Sequence, residues 1–184
     1  MKELSLNVLD ITMNSVKAGA TLIEILLDET DDALTIVIRD NGCGMTDDIV
    51  EKLKNPFYTT RTTRKVGLGV PLLTLAAEQT GGHVSIESDT VSESPDAHGT
   101  TVTAVFHKNH LDFTPLGDMV LTITTLIQGT PAIDFHFRHT RPTGTVELKT
   151  VELRQVLGDD VSLGAFEILQ WIEEYLREQY SATD

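Results

Sequence analysis

The sequence predicts an α+β protein, a two-layer α/β sandwich carrying a small C-terminal α+β extension. Three observations predict it. The chain opens on apolar residues at helical spacing, then shows four alternating segments in two pairs with helices between them. Beyond residue 108 a fresh set begins: a helix, a hairpin and two further helices. With 184 residues, 40% of them hydrophobic, the chain can bury a core without disulfides or structural metal.

Over residues 4–18 the apolar positions form two adjoining stripes, Leu4, Val8 and Ile11 beside Leu6, Leu9, Met13 and Val16, so most of this helix is expected inside. Between the stripes runs a polar line, Asn7, Asp10, Asn14 and Lys17. Burying such a line is costly unless its groups are hydrogen-bonded or face a ligand cavity. Residues 21–27 and 34–39 alternate around the acidic turn Asp28-Glu29-Thr30-Asp31-Asp32, which signals a hairpin. The second strand runs into Asp40-Asn41-Gly42-Cys43-Gly44-Met45, whose glycines permit backbone shapes that side chains forbid. Thr46 caps a short helix reaching about Lys54. After a polar stretch at 59–65 come Gly67-Leu68-Gly69 and a helix over 70–79, with Pro71 in its first turn and Gly81-Gly82 as its stop. Residues 84–88 and 100–107 read as two more strands.

The expected division places the α/β sandwich at 1–108 and the extension at 109–184. In the extension, residues 116–127 are helical by pattern, Ile133, Phe135 and Phe137 alternate, and Val146 and Leu148 answer them across Arg141-Pro142-Thr143-Gly144. Helices over 151–157 and 163–180 complete it, the last with Ile168, Ile172, Tyr175 and Tyr180 near one face. That face is expected to dock on its own domain, with a partner or an identical subunit, giving a homodimer, as the alternatives.

A formal net charge of -14 opposes a phosphate backbone, so no nucleic-acid partner is expected. Positive charge is nonetheless concentrated: Lys52, Lys54, Arg61, Arg64 and Lys65 fall within fourteen residues that contain no Asp or Glu. That suits a small anionic ligand, or simply a solvated basic loop. Cys43 is the only cysteine, which excludes an intrachain disulfide and fits a reducing, cytoplasmic setting. The polar residues among the first twenty give neither a signal peptide nor a membrane span, so no membrane partner is expected.

Asn14-Ser15-Val16-Lys17-Ala18-Gly19-Ala20-Thr21, followed by Ile38-Arg39-Asp40-Asn41-Gly42-Cys43-Gly44-Met45, resembles the first two nucleotide motifs of MutL proteins. Pro56-Phe57, Gly67-Leu68-Gly69 and Gly99-Thr100-Thr101 look more like histidine kinases and anti-sigma-factor kinases. An Asp-x-Gly-x-Gly alone is weak, because turns share its composition; four motifs in order are specific. Together they resemble the GHKL superfamily, whose nucleotide domain is the Bergerat fold. The resemblance covers roughly the first 108 residues and implies ATP and Mg2+ as cofactors.

What the resemblance implies for each residue follows. Asn14 matches the asparagine that helps hold Mg2+ against the phosphates, and Lys17 a lysine that reaches phosphate. Asp10 stands where many relatives carry a glutamate base for water; aspartate is shorter, which argues for slow hydrolysis. Asp40 matches the acceptor for the adenine amino group, with Gly42 and Gly44 passing close to the base and Met45 packing on its ring. Thr100, with Thr101 in reserve, resembles the threonine that supports Asp40. Residues 55–70 look like the ATP lid: Gly67, Leu68 and Gly69 bring backbone amides to the phosphates, Arg61, Arg64 and Lys65 are candidate phosphate contacts, and Phe57 anchors the lid. Cys43 is expected to be a small packing residue. His136 and His139 invite a zinc reading that opposite strand faces would defeat.

Two functions fit. One is a slow ATPase or protein phosphotransferase acting on a protein partner; the other is an ATP-gated interaction module without turnover. The nine residues before Asp10 hold no phosphoacceptor hairpin, and the long transducer domain of topoisomerases and MutL proteins is not in this sequence. Pro115-Leu116-Gly117-Asp118 and Trp171-Ile172 resemble small ATP-binding proteins that accompany iron-only hydrogenases, which would imply a redox-enzyme partner.

Overall fold

The computed structural model describes residues 3–54 and 68–184. Among these residues the order of elements is α1 (Leu4–Lys17), β1 (Leu22–Glu29), β2 (Ala33–Asp40), α2 (Asp47–Lys54), α3 (Gly69–Gln79), β3 (His83–Asp89) and β4 (Gly99–His107). There follow α4 (Met119–Gly129), β5 (Asp134–Arg141), β6 (Gly144–Lys149), α5 (Thr150–Leu157) and α6 (Phe166–Ala182). The strands form one sheet, β3-β4-β2-β1-β5-β6, in a mixed α+β fold. No helix among the described residues is long and apolar enough to cross a membrane.

Alternation decides which face of the sheet is covered. Ile23, Ile25 and Leu27 of β1, Leu34, Ile36 and Ile38 of β2, and Phe135 and Phe137 of β5 are all buried beneath the helices. The intervening Glu24, Arg39, His136 and Glu147 lie on the other, wetter face, where Glu24 pairs with Arg39 at 3.3 Å and with His136 at 3.3 Å. Helices of both halves of the chain share the covered side: α1 packs against α3 and against α4, and α4 against α6.

The first hairpin is closed by Thr30, whose N–H donates to the Ala33 carbonyl at 2.9 Å while its hydroxyl accepts from Ala33 N at 3.0 Å. The two halves of the chain meet edge to edge. β5 pairs with β1 in parallel, from Leu22↔Asp134 to Asp28↔Thr140, and β6 then adds antiparallel to β5. The expected division at residue 108 thus falls between β4 and α4, while the sheet itself runs on across it. The start of α1 has no side-chain cap; the carbonyls of Pro115 and Leu116 accept from Leu4 N at 2.9 Å and Ser5 N at 2.7 Å.

Element ends moved where caps decide them. The helix expected from 116 begins at Met119, because Gly117 has φ 83° and Asp118 accepts from Leu121 N at 2.9 Å as the cap. Of the two α1 stripes, Leu4, Val8 and Ile11 are buried, whereas Leu6 is exposed and Leu9, Met13 and Val16 are half-buried. On α6 the row that faces the core runs in steps of four, with Ile172 and Leu176 buried and Ile168 and Tyr180 half-buried. Tyr175 falls outside that row and stacks on Trp171.

Candidate functional site: a cavity under Asp40

β2 ends at Asp40, which faces the helices and is 8% exposed. Its carboxylate is held from two sides. Oδ1 accepts from Gly42 N at 2.9 Å, and Oδ2 accepts from the hydroxyl of Ser15, on α1, at 2.5 Å. Carboxylate oxygens have lone pairs to spare beyond these bonds, so Asp40 keeps acceptor capacity toward the space beside it.

The loop after Asp40 is pinned residue by residue. Asn41 Oδ1 accepts from Thr21 N at 2.9 Å and Leu22 N at 3.0 Å, and its Nδ2 donates to the Thr21 hydroxyl at 2.9 Å. Gly42 passes so close to α1 that a Cβ there would lie 2.9 Å from Ala18 Cβ. Its carbonyl accepts from His98 Nδ1 at 2.6 Å, which places the proton on that nitrogen. Cys43 N donates to the Ala18 carbonyl at 3.0 Å. Gly44 has φ 71°, and a Cβ there would lie 1.9 Å from the Asp89 carbonyl oxygen. Met45 N donates to Ser88 Oγ at 2.8 Å.

Thr100 is the register partner of Asp40 across β2 and β4. Its hydroxyl meets Ser88 Oγ at 2.8 Å, and Ser88 in turn donates to the Gly99 carbonyl at 3.0 Å. Ser88 is thereby satisfied on all sides: it gives one proton and receives from Met45 N and Thr100. Ser15, Ser88, Asn41 and His98 organise the site without having stood out in the sequence as site residues. Their bonds span 19 to 56 residues of chain, with no local pattern to mark them.

These elements enclose a cavity of about 560 Å³. Ile11, Ile49, Leu53, Val70 and Val102 give it apolar walls; Asn14, Ser15, Lys17, Asp40 and Thr100 give it polar groups. Such a composition suits a flat aromatic ligand with a polar edge. Of the residues singled out in sequence, Asn14, Lys17, Asp40, Gly44, Met45 and Thr100 line the cavity, and Gly42 bonds Asp40 at its rim. Cys43 also lines it and is exposed instead of packed. Asp10 is exposed and is not among the described lining residues; Gly69, the first residue of α3, packs against it, so that a Cβ there would lie 3.1 Å from Asp10 Cβ. Leu68 is exposed. Phe57, Arg61, Arg64, Lys65 and Gly67 lie outside the described residues.

The histidines singled out on β5 point to opposite faces. His136 bonds Glu24 and Glu147 on the wetter face. His139 is buried between Tyr180 and Glu29, Nδ1 to the hydroxyl at 2.9 Å and Nε2 to the carboxylate at 2.9 Å.

Residues 1–110 match the family model of the histidine kinase-, DNA gyrase B-, and HSP90-like ATPases. Among curated proteins, the chain is 33% identical over 102 residues to the tetrathionate sensor histidine kinase TtrS of Salmonella typhimurium, covering 54% of this chain and 17% of that one. It is 29% identical over 89 residues to sporulation kinase E of Bacillus subtilis, covering 48% of this chain and 12% of that one. The chain therefore spans a small part of these relatives. Among solved structures, the Aquifex aeolicus MutL ATPase domain complexed with ADP superposes with a TM-score of 0.55 at 15% identity, over 85% of this chain and 69% of that one. The N-terminal domain of a DNA repair protein does so with a TM-score of 0.52 at 21% identity, over 81% of this chain and 53% of that one. These coverages exceed what the first 110 residues alone could supply, so the likeness of fold extends beyond residue 110.

Proposed function

The chain belongs to the histidine kinase-, DNA gyrase B-, and HSP90-like ATPase family over residues 1–110, and from that premise we propose that it binds ATP with Mg2+ in the cavity under Asp40 and acts as a slow ATPase or protein phosphotransferase on a protein partner. One observation carries the reading. A nearly buried carboxylate, braced by Ser15 and Gly42, stands at the end of a pocket whose walls include Ile11, Ile49, Leu53, Val70 and Val102. An acceptor there matches an exocyclic amine and rejects a ring carbonyl, which selects adenine over guanine. Asn14 offers a neutral amide oxygen for Mg2+, and Lys17, exposed on the same wall, a cation for phosphate. Gly69 opens α3, whose N-terminal amides favour anions; Arg64, Lys65 and Gly67 join this proposal on their sequence pattern. ATP, when bound, supplies the terminal phosphoryl group. Asp10 is the group proposed to position or deprotonate water or an acceptor hydroxyl.

The exposure of Asp10 favours the second reading, an ATP-gated interaction module, because an aspartate apart from the cavity lining gives little turnover. Incubation with γ-phosphate-labelled ATP over hours separates the two. Released phosphate or labelled protein, abolished by Asp10→Asn, supports the enzyme; neither, with ATP still bound, supports the module. A hydrogenase-type redox partner rests only on the resemblance at Pro115-Leu116-Gly117-Asp118 and Trp171-Ile172. Within the chain, Pro115 and Leu116 cap α1, Asp118 caps α4 and Ile172 is core. A cytoplasmic setting is proposed on the single reduced thiol.

A further inference from the structure

On the opposite edge of the sheet from β3, α5 and α6 flank a second concavity of about 510 Å³ over β6. Leu148, Leu153, Val156, Trp171 and Tyr175 give it apolar surface, among Thr145, Glu147, Lys149, Glu152 and Gln179. Val156 is 86% exposed, Trp171 46% and Tyr175 37%. The two rings stack at 4.9 Å with 11° between their planes, so the aromatic surface is ordered before anything binds. Folding gains nothing from leaving Val156 in water, and this groove shares no lining residue with the cavity under Asp40.

The surrounding charge is negative. Lys149 is the one cation lining the groove among the described residues, and it is already engaged by Glu147 at 3.6 Å and Glu152 at 3.7 Å. Glu174 and Glu178 follow Trp171 and Tyr175 by three residues on α6 and so extend the acidic rim along the same helix face. A second copy would set acid rim against acid rim. Strand addition is closed at the middle of β6: Glu147 N donates to Gln179 Oε1 at 3.0 Å and Gln179 Nε2 donates to the Glu147 carbonyl at 3.0 Å, as a neighbouring strand would. An occupant must therefore enter through side chains, as an amphipathic helix does.

We propose that the groove between α5 and α6 docks a basic amphipathic segment of another protein, its apolar side chains on Val156 and the Trp171–Tyr175 stack and its Lys or Arg residues against Glu152, Glu174 and Glu178. The proposal stands apart from the nucleotide reading and is tested without ATP.

Trp171 is the only tryptophan, so its emission reports the groove directly. The probe is a synthetic helical peptide with leucines on one face and lysines on the other, lacking Trp and Tyr, beside its counterpart with Glu for Lys. The Lys peptide should shift Trp171 emission to the blue, saturably and one to one; the Glu peptide should not. Val156→Asp, at a position too exposed to unfold the protein, should weaken the Lys peptide about tenfold or more. General attraction of an anionic protein for a cation would instead be kept or strengthened by that change. Equal binding to Val156→Asp, equal binding of the Glu peptide, a blue shift on raising the protein's own concentration, or one caused by phosphatidylcholine vesicles in place of peptide would each overturn the proposal.

Discussion

Ser15 Oγ donates to Asp40 Oδ2 across 2.5 Å, tying the fourth turn of α1 to the last residue of β2. Ser15 is 4% exposed, so water cannot replace its hydroxyl. Removing a buried donor from a carboxylate costs on the order of 1–3 kcal/mol at the group left behind. Ser15→Ala should therefore weaken ATP binding about tenfold or more while the fold survives, measured by titration calorimetry. Unchanged affinity would mean that Gly42 N alone orients Asp40.

Gly44 sits at φ 71° with the Asp89 carbonyl where a Cβ would be. A left-handed backbone costs a non-glycine residue roughly 1–2 kcal/mol, and relief of the overlap adds to that. Gly44→Ala should lower unfolding free energy by about 2 kcal/mol or more in urea denaturation. A smaller loss would show that the loop can move away from Asp89.

Ser88 joins the loop to β4 through Met45 N and Thr100. Ser88→Ala leaves Met45 N and the Gly99 carbonyl short of a partner, and should cost about 1 kcal/mol of stability with a parallel loss of ATP affinity. Denaturation and calorimetry on one variant check both; a stability loss without an affinity loss would detach Ser88 from the site.

Stability should fall on acidification through the pair His139–Glu29. Burial holds the His139 imidazole below its ordinary 6.5 despite the Glu29 carboxylate beside it, with the charges of Arg141 and Lys108 adding to the effect. Neutral His139 then donates from Nε2 to Glu29 and accepts from Tyr180, whose hydroxyl is itself pushed up by burial. Burial pushes Glu29 up, but hydrogen bonds from Lys108 and His139 outweigh it and hold the carboxyl below 4.5. Both folded values are depressed, so the unfolded chain binds more protons in acid. The His139 contribution is complete above about pH 6.5 and is lost as pH falls from there toward its folded value; that of Glu29 follows below 4.5. Melting temperature should drop between pH 7.5 and 5.5, and His139→Gln should flatten that drop. An equal slope in the variant would place the titration elsewhere.

Much of this was readable in the sequence because its signals are local. Alternation over a few residues marks β1 and β2, and Asp40-Asn41-Gly42-Cys43-Gly44 marks the loop where glycines approach other backbone. The pairing of β1 with β5 is parallel and joins residues about 112 apart, for which no turn residue stands as a sign. Ser15 and Ser88 read as ordinary polar residues until folding brings them to Asp40 and Met45. Tyr175 lies off the core-facing row because the step of four from Ile172 leads to its neighbour Leu176, and the aromatic ring turns outward to Trp171.

The central claim is that the cavity under Asp40 takes adenine nucleotide, and calorimetric titration of ATP with Mg2+ into the wild type and Asp40→Asn tests it most directly. Asparagine keeps the size of Asp40 and places a donor where the adenine amino group needs an acceptor. Saturable binding to the wild type, little or none to Asp40→Asn, and no binding of GTP to the wild type are expected. Equal binding by the two proteins, or none by the wild type, would contradict it.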